Sequence, residues 1–481
     1  MSFDLAVVGA GPAGMAAAMT AAGLGLSVVV LDEQAAPGGQ VFRGVEEAGG
    51  DLALGREYGA AGGALVRGFR AARVAYQPGT VLWHLDPEAG VLSVLRHGIA
   101  LEIWARRVLL ATGAQERAVP IPGWTLPGVM TAGAAQIVLK TSGAVPEGRV
   151  VIGGQGPLAW LLAVQLRRAD VGEVTLLETR RRPVLAALPG GGWWGGRRLL
   201  ARGVGLMLTA RRLGVRVVRG VRGLRAEGST RLAGVAWDGG RMGCDWLLLH
   251  EGVVPGTQIS QALGLAHDFD AAQQCWRPRL DRWGGSSHPA VAIAGDGGGI
   301  GGWEAAVAGG RLAALDAAFR LGRITVAARD RAAGPARREM ARALASRGFL
   351  ERLYAPAAGV LAPPDDATIV CRCEEVTAGA IRAAARAGAV GPNQMKAFLR
   401  AGMGACQGRM CGSVVAALIA EVRGVSVAEV AVLRPRAPYK PLTVGVLAGE
   451  TGFLPVGLAE LAATAAGADD TGATQDDVGG L

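Results

Sequence analysis

The most specific chemistry in this sequence is carried by four cysteines. Cys371-Arg372-Cys373 is followed, 32 residues on, by Cys406-Gln407-Gly408-Arg409-Met410-Cys411, so C-x-C and C-x4-C take four of the six cysteines. Four thiolates gathered at one place hold an iron–sulfur cluster or a zinc ion. Structural zinc sites generally use C-x2-C-type knuckles, and both spacings here depart from that. The glycine-rich surroundings of the second pair offer backbone N–H groups to bridging sulfides. An iron–sulfur cluster is therefore expected, with zinc as the competing reading. Cys244 and Cys275 have no near partner and read as buried packing residues. The five histidines lack metal-ligand spacing, and His250, followed by Glu251 at the end of an apolar strand, reads as structural. No acid–base pair for substrate chemistry stands out.

A second kind of chemistry is written in glycines. Gly9-Ala10-Gly11-Pro12-Ala13-Gly14 follows a short apolar strand from Asp4 to Val8, and precedes an alanine-rich helix from about Pro12 to Gly23. A strand from Ser27 to Leu31 then ends at Asp32-Glu33. In this setting the first glycine permits a tight turn, the second admits a pyrophosphate and the third lets helix and strand pack closely. The helix amino terminus faces the phosphates with free N–H groups. An acid about twenty residues on binds a ribose hydroxyl; Asp32 and Glu33 both qualify. The turn segment Pro37-Gly38-Gly39-Gln40 comes next. Further on, Arg107 to Leu110 runs into Ala111-Thr112-Gly113-Ala114, and Val291 to Ala294 runs into Gly295-Asp296-Gly297-Gly298-Gly299. Asp296 reads either as an acceptor for hydroxyls of an extended dinucleotide or as a helix N-cap.

The pattern recurs. Arg149 to Ile152 leads into Gly153-Gly154-Gln155-Gly156-Pro157-Leu158-Ala159, a helix to about Arg168, and a strand from Glu173 to Leu177 ending at Glu178. This G-x-G-x-x-A unit lies between the first unit and Gly295-Asp296, so one nucleotide domain is inserted into another. Glu178 favours a free ribose hydroxyl, whereas Arg180 to Arg182 suit a 2′-phosphate. NAD, NADP, another adenine nucleotide and an empty relic all stay open. No C-x-x-C follows either glycine loop, so no redox disulfide is expected beside the nucleotides.

At 481 residues the chain holds about two to four domains. The boundaries read as a first nucleotide domain split between 1–147 and 285–330, an inserted one at 148–284, a helical linker at 331–364, a cysteine module at 365–430 and an irregular tail at 431–481. In the module, Thr377 caps a helix running from Ile381 to Ala387. Helices at Gln394–Arg400 and Ser413–Val422 then bring both cysteine pairs to one end. The tail is irregular from Pro435, and from Gly467 its acidic, small-residue composition reads as disorder. The net charge is +10, but the arginines are dispersed and aromatics make up only 5%, which argues against nucleic acid. Six cysteines in so long a chain are no disulfide framework. Leu5 to Leu31 is uncharged, yet the fingerprint glycines and Pro12 break it into strand, helix and strand, so no transmembrane segment is expected. With no charged region ahead of an apolar run, a cytoplasmic protein is expected, peripheral membrane attachment being left open.

Together these motifs resemble one flavoprotein group. The resemblance rests on the first fingerprint, Asp32-Glu33-Gln34 with Pro37 to Gln40, Ala111 to Glu116, Pro122 to Gln136, Gly252 to Pro255, and Ala294 to Gly302. The group contains the A subunits of opine oxidases, the B subunits of hydrogen cyanide synthases, and the alpha subunits of hydroxyproline and proline dehydrogenases. The cysteine module is similar to the domain of bacterioferritin-associated ferredoxin, which carries a [2Fe–2S] cluster; its second pair is C-x4-C here and C-x2-C there. The resemblance spans Phe3 to Leu447.

It implies an α/β, two-dinucleotide-binding-domain flavoprotein fold, an NAD-type domain inserted in a split FAD domain, with a small helical [2Fe–2S] domain at the C-terminal side. By position, Gly9, Gly11, Pro12, Ala13, Gly14, Asp32 or Glu33, Gln34, Gly39, Gln40, Ala111, Thr112, Gly113, Gly295 and Asp296 would contact FAD. Gly154, Gly156, Ala159 and Glu178 would serve NAD(P) or another adenine nucleotide. Cys371, Cys373, Cys406 and Cys411 would ligate the cluster. The activity implied is that of an electron-transfer subunit of a heteromeric oxidoreductase acting on an amino acid, imino acid or opine. Substrate would be oxidised on a partner flavoprotein beta subunit of the D-amino-acid or sarcosine oxidase type, and a quinone or carrier protein would take the electrons. That agrees with the lack of an evident catalytic base. The alternatives are a self-sufficient NAD(P)H-dependent reductase and an assembly subunit with a zinc-bound cysteine module.

Overall fold

Phe3–Val8 is buried at all six positions, as befits a parallel strand covered on both faces. In the computed structural model, which describes residues 2–47, 54–55, 58–187, 197–357, 359–449 and 454–455, it is the centre of the first sheet. Val28–Leu31 lies parallel on one side and the long strand Ile99–Leu110 on the other. Ala75–Gln77 extends the sheet beyond Val28–Leu31. Val291–Ile293, far downstream, pairs with Val108 to Leu110. The amino half of Ile99–Leu110 instead carries an antiparallel meander with Val91–Arg96 and Thr80–Asp86.

Between Leu110 and Val291 the chain builds a second parallel sheet. Its order is Arg216–Arg219, Glu173–Glu178, Arg149–Gly154, Trp246–His250 and Val129–Thr131. Arg149–Gly154 occupies the place that Phe3–Val8 holds in the first. The architecture is the expected one of a second dinucleotide-type unit inserted into a split first unit. The helices Pro12–Gly23 and Trp303–Arg320 cover the first sheet, and their approach is close because their facing residues are small. A Cβ at Gly310 would come within 2.1 Å of the Ala13 carbonyl oxygen.

The helices that enter the expected linker lie against the nucleotide units. Helix Val326–Leu344 buries Arg329 between the rings of Trp283 and Phe319, with its guanidinium 2.9 Å from Asp316. Helix Arg347–Leu353 follows and packs on Ala187 and Leu200.

The cysteine module has a core of its own, built from Ile381, Met395, Val414, Val415, Leu418 and Ile419. Its helices are Ala378–Arg386, Pro392–Leu399 and Gly412–Arg423, and Thr377 caps the first by accepting from the Ala380 N–H at 3.2 Å. The tail, expected to be irregular, holds a short helix, Val444–Ala448, and a strand, Leu454–Pro455, that pairs with Ile99–Leu110 where it is described. Tyr439 is buried in the first unit's core and donates its N–H to the Trp83 carbonyl. The expected disorder beyond Gly467 falls outside the described residues. Among the described residues no helix is long and apolar enough to cross a membrane.

Candidate functional site

Open α/β sheets bind ligands outside the carboxyl ends of their strands, where the strand order reverses. In the first sheet that point is the end of Phe3–Val8, and three loops meet there. Gly9 has φ +106, and a Cβ on it would sit 2.6 Å from the Ala111 carbonyl oxygen. One on Gly14 would sit 1.8 Å from the Gly9 oxygen, and one on Gly295 2.9 Å from the Ala13 Cβ. Gly39 presses on the same turn from the side, its Cβ position lying 2.8 Å from the Gly11 Cα. Gly11 is the N-cap of the helix that begins at Pro12, and no side chain caps its free N–H groups. The turn is therefore closed to side chains and open to a phosphate.

The flanking residues sort themselves. Asp32 is 6% exposed and accepts from the Ala10 N–H at 2.5 Å and the Gln34 N–H at 2.7 Å. Burial pushes its carboxyl above the ordinary value. Glu33 turns outward to an ion pair with Lys440 at 2.8 Å. The Gln34 amide oxygen accepts from Arg43. Thr112 donates to the Gly256 carbonyl at 3.2 Å, and Gly113 accepts from the Gly256 N–H. Asp296 accepts from the N–H groups of Gly301 and Gly302 at 2.9 and 3.0 Å, ahead of helix Trp303–Arg320. One residue here has no signal in local sequence. Lys140 is buried and donates to the carbonyls of Gln40 and Val41 at 3.0 Å each. Desolvation, with Arg43 nearby, lowers its ammonium to about 8.

The four cysteines come together as two neighbouring pairs, Cys371 with Cys411 and Cys373 with Cys406. Cys371 and Cys411 are buried, Cys406 is half-buried and Cys373 is exposed. The contact with Cys411 is the first cause holding the Cys371 thiol down to about 5, helped by N–H groups of Gly402, Glu374 and Cys373. The same contact, followed by burial, pushes Cys411 up. Gly404 leaves room for Cys373, since a Cβ there would lie 2.1 Å from the Cys373 Cβ. Among the described residues no three His, Cys, Asp or Glu side chains close around one point. Two thiol pairs suit a two-iron cluster with four cysteine ligands.

The module is fastened to the nucleotide units beside both sites. Gln115, three residues past Thr112, donates its amide to the Arg409 carbonyl at 3.0 Å. The Trp124 indole N–H donates to the Ile369 carbonyl at 2.7 Å, and the Arg372 guanidinium stacks 5.2 Å above its ring.

In the second unit Gly154 lies on His250 as Gly9 lies on Ala111, a Cβ there falling 1.8 Å from the His250 oxygen. Gly156 is the N-cap of helix Pro157–Arg168, and Ala159 is fully buried beneath it. Glu178 is 2% exposed and ion-paired to Arg180 at 3.3 Å and Arg219 at 3.4 Å. Glu251 accepts from the Gln155 amide at 2.9 Å and the Thr179 hydroxyl at 2.6 Å. Its pKa is raised, first by burial. His250 contacts Glu116 at 2.5 Å, and Glu116 accepts from the Gly133 N–H. The histidine is thus held in a structural pairing.

Crevice and cysteine pairs together define a flavin oxidoreductase with an iron–sulfur module. Residues 3–311 match the model of the family described as pyridine nucleotide-disulphide oxidoreductase, and residues 369–421 match that of the BFD-like [2Fe-2S] binding domain. The A subunit of opine oxidase from Agrobacterium tumefaciens (strain Ach5) is 42% identical over 464 residues, covering 93% of this chain and 91% of that protein. The HcnB subunit of hydrogen cyanide synthase from Pseudomonas aeruginosa is 35% identical over 479 residues, covering 92% of this chain and 97% of that protein. Among solved structures, L-proline dehydrogenase from P. horikoshii has the same fold, with a TM-score of 0.70 at 19% identity over 93% of this chain and 79% of that one. The chain belongs to the pyridine nucleotide-disulphide oxidoreductase family, in the group that contains the A subunits of opine oxidases. Its cofactors are FAD and a [2Fe–2S] cluster.

Proposed function

We propose that this chain is the electron-transfer subunit of a heteromeric dehydrogenase or oxidase acting on an amino acid, imino acid or opine. The observation that carries the reading is the joint at Gln115 and Trp124, which fixes the cysteine module directly behind the Ala111-Thr112-Gly113 loop. A dinucleotide crevice and a four-thiolate site held side by side are the parts of a relay. FAD supplies two-electron acceptance with one-electron release, the exchange a relay needs.

In this reading Gly9, Gly11, Pro12, Ala13 and Gly14 cradle the FAD pyrophosphate. Gln34, Gly39, Gln40, Ala111, Thr112, Gly113, Gly295 and Asp296 line its remaining length. Asp32 takes the ribose, because Glu33 is engaged by Lys440. Cys371, Cys373, Cys406 and Cys411 hold the cluster. The units are bounded at 1–147 with 285–330, 148–284, 331–364, 365–430 and 431–481. Substrate is oxidised on a beta subunit of the D-amino-acid or sarcosine oxidase type, in the cytoplasm, and a quinone or carrier protein accepts the electrons. The relatives' names, as subunits of oxidases and synthases, support a partner.

Anaerobic co-purification from the native host, followed by absorption and EPR spectroscopy and identification of bound chains, tests this. The expected result is flavin, a reducible two-iron signal and a second flavoprotein chain. Purified protein that is colourless and alone refutes it. Zinc without iron supports an assembly role instead.

A further inference from the structure

The two nucleotide units share a topology, yet their crevices are furnished differently. We infer that the second unit is closed to a dinucleotide by the chain's own Glu251 and Tyr354, and that it serves as a mount for the linker and cysteine module. This rests on the electron-transfer reading and sharpens it: electrons do not enter from NAD(P)H.

A dinucleotide in such a sheet crosses the carboxyl end of the central strand, here Arg149–Gly154, from one flanking strand to the other. Glu251 stands at the end of one flank, immediately after Trp246–His250. Its carboxylate reaches Thr179, immediately past the end of the other flank, and takes the Gln155 amide of the glycine turn on the way. It therefore spans the path of the pyrophosphate. Phosphate oxygens entering there would meet a buried carboxyl group where they need donors. The Gln155 Oε1 atom is also buried and has no hydrogen-bond partner among the described residues, so it adds a second acceptor. The first unit shows the contrast. Because Gly9 lies on Ala111 as Gly154 lies on His250, Thr112 holds the place equivalent to Glu251, and that short side chain turns away to Gly256.

The adenosine end is closed independently. Glu178, the acid placed for the ribose, has one carboxylate oxygen on Arg180 and the other on Arg219. Tyr354, just past helix Arg347–Leu353, is partly buried in the cluster of Ala187, Phe349 and Leu353 that follows strand Glu173–Glu178. Phe349 and Leu353 seal the same side against Ala187 and Leu200, and Arg352 donates to the Ala187 carbonyl at 3.1 Å.

The test is an anaerobic titration of the holoprotein with NADH, NADPH and ADP-ribose, read by calorimetry, by hydrogen exchange across residues 150–160 and by flavin absorbance. No heat, no added protection and no bleaching at millimolar ligand are expected. Binding tighter than about 0.1 mM with protection of the glycine turn overturns the closure. If the flavin stays oxidised in that case, the electron-transfer reading stands; bleaching at turnover rates overturns both. Glu251→Ser, checked for folding by circular dichroism, is expected to gain measurable binding of inorganic pyrophosphate, the part of the ligand whose path Glu251 spans while the adenosine end stays closed. A folded Glu251→Ser protein that binds none overturns the role given to Glu251, and the wild-type titration decides if the variant does not fold.

Discussion

Replacing Trp124 by phenylalanine isolates the joint between the cysteine module and the flavoprotein body. The indole is 5% exposed, and its N–H is the donor to Ile369. Phenylalanine keeps most of the packing but leaves that carbonyl without its donor. Loss of such a bond costs about 1 kcal/mol net, rising toward about 3 kcal/mol when the orphaned group stays dry. Ile369 is half-buried, which places the cost at about 1–2 kcal/mol. Arg372 is exposed, and stacking on a ring at such a site contributes about 0.5–1 kcal/mol, part of which phenylalanine retains. Local opening of the Ile369–Cys371 strand should therefore become about 5–30 times more frequent. Hydrogen-exchange mass spectrometry on the holoprotein reads this directly from a peptide covering residues 367–376, with one covering residues 3–8 as internal control. Trp124→Ala adds a cavity and should cost about 3–5 kcal/mol. Unchanged exchange in 367–376 for both variants, or an equal rise in the control, would refute the view that this side chain clamps the module.

Three further outcomes are expected. Cys373→Ser and Cys411→Ser should each lose stoichiometric iron while keeping the flavin spectrum, because the module's core is separate from the crevice; iron analysis and absorption check this, and full iron in both would count against the ligand set. Gly39→Ala puts a Cβ 2.8 Å from the Gly11 Cα at a residue with φ +61. The strain of about 1–3 kcal/mol should weaken flavin retention about 5- to 150-fold, read as the FAD-to-protein ratio after gel filtration. Lys140 titrates near 8 when folded against 10.5 for an unperturbed lysine, so between those values the unfolded chain binds more protons and stability rises with pH. At ~1.4 kcal/mol per pH unit the rise is about 3 kcal/mol, present in wild type and absent in Lys140→Met, as urea midpoints at pH 8 and pH 10.5 should show.

Much of this was legible in the sequence because it is dictated locally. Gly9, Gly14 and Gly154 each admit no side chain, so their spacing announces the turns. The helix from Pro12 to Gly23 and the Thr377 cap lie where the sequence puts them. The cysteine ligands were readable because soft ligand chemistry leaves few substitutes. What was not legible is the pairing of side chains distant in sequence. Asp32 and Glu33 are equivalent by spacing, and only tertiary contacts separate them, Asp32 being buried on the glycine turn while Glu33 pairs with Lys440. Lys140, Trp124 and Glu251 act on partners about a hundred or more residues away, and no periodicity encodes such contacts. The packing just ahead of the linker was hidden for a related reason: Arg329 is taken between two aromatic rings and a carboxylate that lie elsewhere in the chain.

The late pairing of Val291–Ile293 with the strand that ends at Leu110 bears on biosynthesis. The first sheet begins at residue 3 but lacks Val291–Ile293 until those residues have left the ribosome; Tyr439 closes its core later still, and Leu454–Pro455 pairs with the long strand Ile99–Leu110 last. The central and flanking strands of the inserted unit, residues 149–250, are by contrast contiguous. Domains generally fold as units as they emerge, so the guest is ready before its host. During synthesis the nascent chain carries an unfinished flavin crevice alongside a finished neighbour, and flavin capture becomes one of the last events in maturation.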